Sequence, residues 1–277
     1  MKNIELSFEF FPPKTDEGIE KLRVTRAQLL PLSPKFVSVT FGAGGSTQQG
    51  TLDTIVEIAR SGVDAAPHLS CIGASRTGLA GILDTYRQHG IAHIVALRGD
   101  MPSGMVEMGE FRYAADLVGF IREHSGDAFR IEVAAYPEYH PQSRSPKQDL
   151  DAFVKKVQAG ADAAISQYFF NADAYFRFVD DARKAGVTIP ITPGIMPITN
   201  FVQLIRFSEM CGAEVPRWIA RRLESYGDDR ESIRAFGVEV VAAMCKRLIA
   251  GGAPGLHFYT LNSATPTKAI CDALALG

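Results

Sequence analysis

A glutamate stands inside a run of aromatic residues near the start of the chain, Glu9 in SFEFFPPK at 7–14. A carboxylate in such a place is costly unless something pairs with it or uses it. Phe10, Phe11 and Pro12 would limit its solvation and push its pKa up. That is the condition for a carboxylic acid that gives up a proton near neutral pH. The plain alternative is a structural glutamate paired with Arg98 or with a backbone donor, and the pattern alone leaves both open. A second place is LRGD at 97–100, where Gly99 lets the backbone between Arg98 and Asp100 approach a ligand closely. It also reads as an ordinary strand-end turn. FGAGGSTQQG at 41–50 is rich in glycine, but it has neither a P-loop lysine nor G-x-G-x-x-G, so it supports only a turn near a ligand. Lys155 and Lys156 could reach a phosphate, although a solvated pair is the default for two lysines on a helix. His68, His140, Asp100 and Glu138 could in principle serve a metal-dependent lyase or hydrolase. No H-x-H or H-E-x-x-H supports that reading, and a site without metal is favoured. A Schiff-base aldolase would need a lysine inside a strand's C-terminal end, and no strand has one.

The elements that must carry these residues alternate regularly. Eight β-rich runs occur at 5–11, 35–42, 64–72, 92–99, 130–136, 163–170, 189–196 and 255–262. Helical patterns lie between them. Leu150, Phe153, Val154 and Val157 recur at i, i+3, i+4 and i+7 behind a Ser145-Pro146 start. Asn171 opens a further helix that Gly186 closes, and the stretch 197–254 holds two or three more. Strands and helices in strict alternation predict an α/β fold, a (β/α)8 TIM barrel in a single domain. The alternative, an open doubly wound sheet, would place a glycine-rich turn after its first strand, where PPKTDEG stands instead.

In such a barrel the active site lies at the C-terminal strand ends. The polar residues there are Glu9, Thr40, His68, Arg98 and Asp100 from strands one to four. Tyr136, Glu138 and His140 come from strand five, Gln167 from six, and Tyr259, Thr260 and Asn262 from eight. A period of two sets Leu6, Phe8 and Phe10 against Glu5, Ser7 and Glu9, so Glu9 should look into the barrel mouth.

The bulk properties exclude several classes. A net charge of −2 and a pI near 6.3 leave no electrostatic footprint for nucleic acid or anionic lipid. No apolar run approaches the roughly 18 residues of a spanning helix. The N-terminus lacks the pattern of a signal peptide. Cys71, Cys211, Cys245 and Cys271 are far apart, as reduced thiols of a cytoplasmic protein would be.

The strand-end segments SFEFFPPK, FVSVTFGAGGST, APHLSCIG, LRGD-x-P, AAYPEYHP and HFYTLN closely resemble the methylenetetrahydrofolate reductases, over residues 5 to about 262. The chain looks like the short bacterial form, a catalytic barrel without the regulatory domain of eukaryotic members. The resemblance implies a barrel that binds FAD without a dinucleotide-binding domain and reacts by a ping-pong sequence. NADH or NADPH reduces the flavin and leaves. 5,10-Methylenetetrahydrofolate then takes its place and is reduced to 5-methyltetrahydrofolate. The family's proton donor to the leaving N10 corresponds to Glu9, and its flavin-tuning, cation-stabilising aspartate to Asp100. Matching positions imply FAD contacts at Thr40, Phe41, Ala43, His68, Arg98, Gly99, Asp100, Tyr113, Ala114, Tyr136, His140, Asp149, Lys155 and Lys156. Substrate contacts would be Glu9, Gln167, Tyr168, Gln203 and Phe207. Partners would be these small molecules and further copies of the chain, since bacterial relatives are homo-oligomers. A pterin-binding barrel that has lost the reaction is the non-catalytic alternative. Three positions depart from the family pattern. Phe41 stands for a common tyrosine, Tyr168 for a phenylalanine, and Ser263 for an arginine, with Lys268 near enough to substitute for the last.

Overall fold

A computed structural model describes residues 4–41, 46–100 and 109–276, without the side chains of 46–48. Eight parallel strands close into a barrel in sequence order, from β1 (Glu5–Phe10) to β8 (Gly255–Tyr259), which pairs back on β1. Between them lie β2 (Phe36–Val39), β3 (Ala65–Ser70), β4 (His93–Leu97), β5 (Arg130–Ala135), β6 (Ala163–Tyr168) and β7 (Ile191–Ile195). The first six intervening helices are α1 (Asp16–Leu29), α2 (Ser46–Arg60), α3 (Arg76–Gln88), α4 (Ala114–Ser125), α5 (Pro146–Gln158) and α6 (Ala172–Lys184). Three helices, α7 (Phe201–Cys211), α8 (Arg217–Ser225) and α9 (Arg230–Ala250), separate β7 from β8, and α10 (Ala264–Ala273) follows. The single-domain TIM barrel expected from the alternation is the fold observed.

Local chemistry explains the helix starts. Ser145 accepts a hydrogen bond from the Gln148 amide at 3.2 Å, with Pro146 at the first position of α5. Asn171 caps α6 and Asn200 caps α7 in the same way, accepting from Asp173 and Gln203 at 3.0 and 2.8 Å. Gly186, at φ 86°, turns the chain out of α6 in the left-handed region that glycine tolerates.

The strand phase places two cores. Phe8 and Phe10 are fully buried on the outer side of β1, where they face Leu29 of α1 and Ile58 of α2. The main core lies there, between barrel and helices. A smaller apolar layer of Phe36, Ala66, Val95 and Ile165 fills the lumen itself. The expected runs extend one to three residues beyond most of the ladders at their C-terminal ends. Thr40, Arg98, Gly99 and Tyr136 therefore stand where the chain has left the sheet and is free to meet a ligand.

Candidate active site

Glu9 enters the lumen from β1, as its alternation requires, and meets two imidazoles rather than Arg98. His68 Nε2 of β3 lies 3.3 Å from Glu9 Oε2, and His257 Nε2 of β8 lies 3.7 Å from the same oxygen. Neither ring nitrogen has a hydrogen-bond partner of full quality among the described residues. Arg98 turns outward instead, donating to the Gln142 side chain at 2.6 Å and to its neighbour's carbonyl on Gly99 at 3.1 Å.

The expected rise in the Glu9 pKa is corrected by this environment. Burial does push the carboxyl up, but the His68 and His257 imidazoles more than reverse it, taking it from 4.5 down to about 2. The phenylalanines do not set its protonation, because Phe8 and Phe10 face the helices and the histidines face the carboxylate.

The rim of strands four and five gathers aromatic and cationic groups. The Tyr136 and His140 rings meet edge to face at 4.7 Å. Lys156 reaches back from α5 to donate to the Ala134 carbonyl, with its ammonium 5.9 Å from the Tyr136 ring centre. Burial lowers that ammonium to about 8, against the pull of Asp149. Burial, and then the Arg98 charge, lowers His140 as well. Asp149 is buried and accepts from Ser143 Oγ at 2.9 Å. Tyr136 feels the charges of Asp149, Asp100 and Arg98, which places all four in one electrostatic neighbourhood. Lys155, next to Lys156 on α5, is exposed and lies off the face shared by Asp149, Phe153 and Lys156.

Gly99 allows the turn that presents this rim. Its φ is 85°, and a Cβ there would lie 1.9 Å from Ser70 Oγ, so no other residue fits. Thr40 and Phe41 are half-buried at the end of β2, while Ala43 lies outside the described residues. Tyr113, 63% exposed, precedes α4, which begins at Ala114. Asp100 is exposed.

Gln167 stands where the β6–β7 register shifts between Ile165 and Tyr168. An irregularity of that kind re-aims a side chain at a barrel rim. Its Oε1 accepts the Tyr168 amide at 3.0 Å. Tyr168 is buried, and its hydroxyl lies 3.3 Å from Ser208 Oγ of α7. Gln203 and Phe207, four residues apart, share a face of α7. Lys268 lies 3.4 Å from Asp272 on its own helix.

Several strand-end groups from β8 hold structure together instead. Thr260 Oγ1 donates to the Glu9 carbonyl at 2.6 Å, and the Asn262 side chain clamps both backbone polar groups of Phe11 at 2.8 and 3.0 Å. His68 and His140 occupy different clusters, and no group of three His, Cys, Asp or Glu among the described residues could hold a metal ion. His257 stands in mid-strand on β8, so position at a strand end does not single it out. Its signal was there: it is two residues before Tyr259, on the same inward phase.

Comparison with known proteins gives this geometry a family. The family model described as methylenetetrahydrofolate reductase matches residues 1–275. The chain belongs to the methylenetetrahydrofolate reductase family. It is 44% identical to the 5,10-methylenetetrahydrofolate reductases of Salmonella typhimurium and Escherichia coli, over 99% of this chain and 91% of each of theirs. A plant relative, methylenetetrahydrofolate reductase (NADH) 1 of Arabidopsis thaliana, is 39% identical over 92% of this chain and 46% of its own length. These relations support methylenetetrahydrofolate reductase activity in folate one-carbon metabolism. Among solved structures, an uncharacterized protein from Clostridium thermocellum that binds two copies of 5-methyl-5,6,7,8-tetrahydrofolic acid shares the fold. Its TM-score is 0.67 at 14% identity, over 99% of this chain and 94% of that one.

No helix among the described residues is long and apolar enough to cross a membrane.

Proposed function

We propose that the chain reduces 5,10-methylenetetrahydrofolate to 5-methyltetrahydrofolate with FAD and NAD(P)H, in a ping-pong sequence. The observation that carries the reading is Glu9, held at the barrel mouth between His68 and His257 in a chain of this family. The residues at the mouth fit FAD. An aromatic and cationic rim of Tyr136, His140, Arg98 and Lys156 suits an anionic ligand with flat rings. The glycine turn at Gly99 brings the backbone close. Bound there, FAD would supply the hydride chemistry, from NAD(P)H to folate.

The chain's own residues do the rest. Arg98, Lys155 and Lys156 would meet the pyrophosphate and ribose region of FAD. Thr40, Phe41, Ala43, His68, Gly99, Asp100, Tyr113, Ala114, Tyr136, His140 and Asp149 complete its contacts. Gln167, Tyr168, Gln203 and Phe207 would take folate and nicotinamide in turn. Glu9 protonates N10 of the folate as its five-membered ring opens to the 5-iminium cation, and the charge of Asp100 favours that cation. Since the two imidazoles favour the ionised form of Glu9 in the free chain, Glu9 must take up a proton before it can donate one. We place the enzyme in the cytoplasm, as a homo-oligomer.

A visible spectrum of the purified protein tests the cofactor. A flavin band supports the reading, and a colourless protein that rejects added FAD overturns it. Glu9→Gln is expected to keep FAD and to oxidise NAD(P)H with an artificial acceptor, while losing folate reduction. Normal folate turnover by that variant would remove the role given to Glu9. Steady-state kinetics with NADH and with NADPH measure the nucleotide preference.

A further inference from the structure

The alternation that turns Glu9 inward also turns Ser7 and His257 inward, one layer deeper in the lumen. Ser7 is paired in register with His257 across β1 and β8, and Glu9 with Tyr259. His257 is 0% exposed. Its Nδ1 lies 2.8 Å from Ser7 Oγ, and its Nε2 faces Glu9 Oε2 at 3.7 Å. The ring is held by Phe36 on one face, at 5.9 Å, and by the edge of Tyr259 at 5.4 Å. His68 lies closer to Glu9, with 9% of its side chain exposed against none for His257. His257 is sealed behind Glu9, and its two ring nitrogens face Ser7 and Glu9.

We propose that His257 is a positioning residue that supplies Glu9 with the proton delivered to folate. In the folate half-reaction His257 Nε2 gives its proton to the Glu9 carboxylate and Glu9 passes it to N10, which leaves the imidazole neutral and Glu9 ionised again. After the product departs, a proton from solvent returns to His257 through Glu9. The inference rests on the folate-reducing role of Glu9.

Ser7 makes the exchange workable. A hydroxyl both donates and accepts. Ser7 therefore accepts from Nδ1–H while the ring is charged, and donates to Nδ1 once the ring is neutral. In either state Nε2 stays aimed at Glu9. The groups that can bear on His257 are few. β1 presents Glu9, β3 presents His68 beyond it, and Tyr259 lies on the same strand. β7 presents Gly194 at this level, and His93 packs on Phe36 with ring centres 4.5 Å apart.

The test is the pH profile of folate reduction by the holoenzyme, for the parent, His257→Gln and Ser7→Ala. His257→Gln should slow folate reduction about tenfold, a fraction of what loss of the acid itself costs. The alkaline fall-off of the rate should also move to lower pH, because the carboxyl then holds its proton unaided. Ser7→Ala, which keeps the ring, should move the fall-off the same way by about half a pH unit, because the bond Ser7 accepts from the charged ring is stronger than the one it donates to the neutral ring. A purely structural role would lower the rate equally at every pH. Profiles parallel to the parent's in Ser7→Ala overturn the proposal, and that variant decides the matter if His257→Gln fails to fold. A parent that neither oxidises NAD(P)H with an artificial acceptor nor reduces folate would overturn the underlying function as well, a result distinct from parallel profiles.

Discussion

At the floor of the barrel His93 stands between two carboxylates, Asp64 at 3.0 Å and Glu132 at 3.4 Å, with Arg130 3.3 Å from Glu132. At the mouth the ratio is inverted, and one carboxylate, Glu9, stands between two imidazoles. Burial lowers His93, but Asp64 and Glu132 outweigh it and raise the imidazole, so the floor favours the charged ring. The mouth holds an anion, because two rings act on one carboxyl. In both places the majority type favours the charged form of the central group, a cation at the floor and an anion at the mouth. The floor is also closed by a guanidinium whose charge never changes, and the mouth is not. A cluster with matched fixed charges suits stability. One whose balance turns on a single proton suits chemistry, in keeping with the division between the two faces of such barrels.

The sharpest break between the two ends is kinetic. Glu9→Gln should cut folate reduction by about 10²–10⁴-fold, the span of general acid catalysis, while Glu132→Gln leaves kcat and KM near the parent's. If both variants lose turnover alike, the division fails. In equilibrium urea unfolding Glu132→Gln should cost about 3 kcal/mol, because it leaves His93 and Arg130 without their shared buried partner.

The pH dependence has opposite signs at the two ends. His93 is raised above its ordinary 6.5, so its contribution to stability is complete below that pH and fades as pH rises through the folded value. His93→Gln should therefore destabilise more at pH 6 than at pH 9, as read by denaturant midpoints. Glu9 is lowered, so its contribution is present above 4.5 and lost as pH falls toward 2. Smaller effects sharpen the picture of the mouth. Gly99→Ala should cost about 1–3 kcal/mol through backbone strain and the clash with Ser70, and should weaken FAD retention. Tyr168→Phe removes one hydroxyl contact to Ser208 of α7, about 1 kcal/mol or less, and should raise folate KM more than it lowers kcat.

Much of this was legible in the residues. The inward phase of Glu9, the capped starts of α5 and α6, and the strand-end positions of His68, Arg98 and Gln167 follow from periods and caps that depend on neighbours a few residues away. Tyr168 departs from the family pattern, but its partner Ser208 lies 40 residues on and carries no local sign. Thr260 and Asn262 share the strand-end position of the site residues, and their roles as clamps on β1 depend on β8 closing against it.

The sequence by itself determined the alternating elements, the barrel they imply, the inward face of β1 and the motifs that mark the family. These rest on local backbone preferences and on side-chain alternation, which any short segment carries within itself. Only the tertiary structure decided the charge of Glu9. Its aromatic neighbours along the chain argue for a protonated acid. In the fold Phe8 and Phe10 pack on the outer face and Phe11 is exposed, while closure of the barrel brings His68 and His257, 59 and 248 positions away (68 − 9 and 257 − 9), against the carboxylate. Electrostatic interaction follows distance in space, and that distance exists only once β8 has paired with β1.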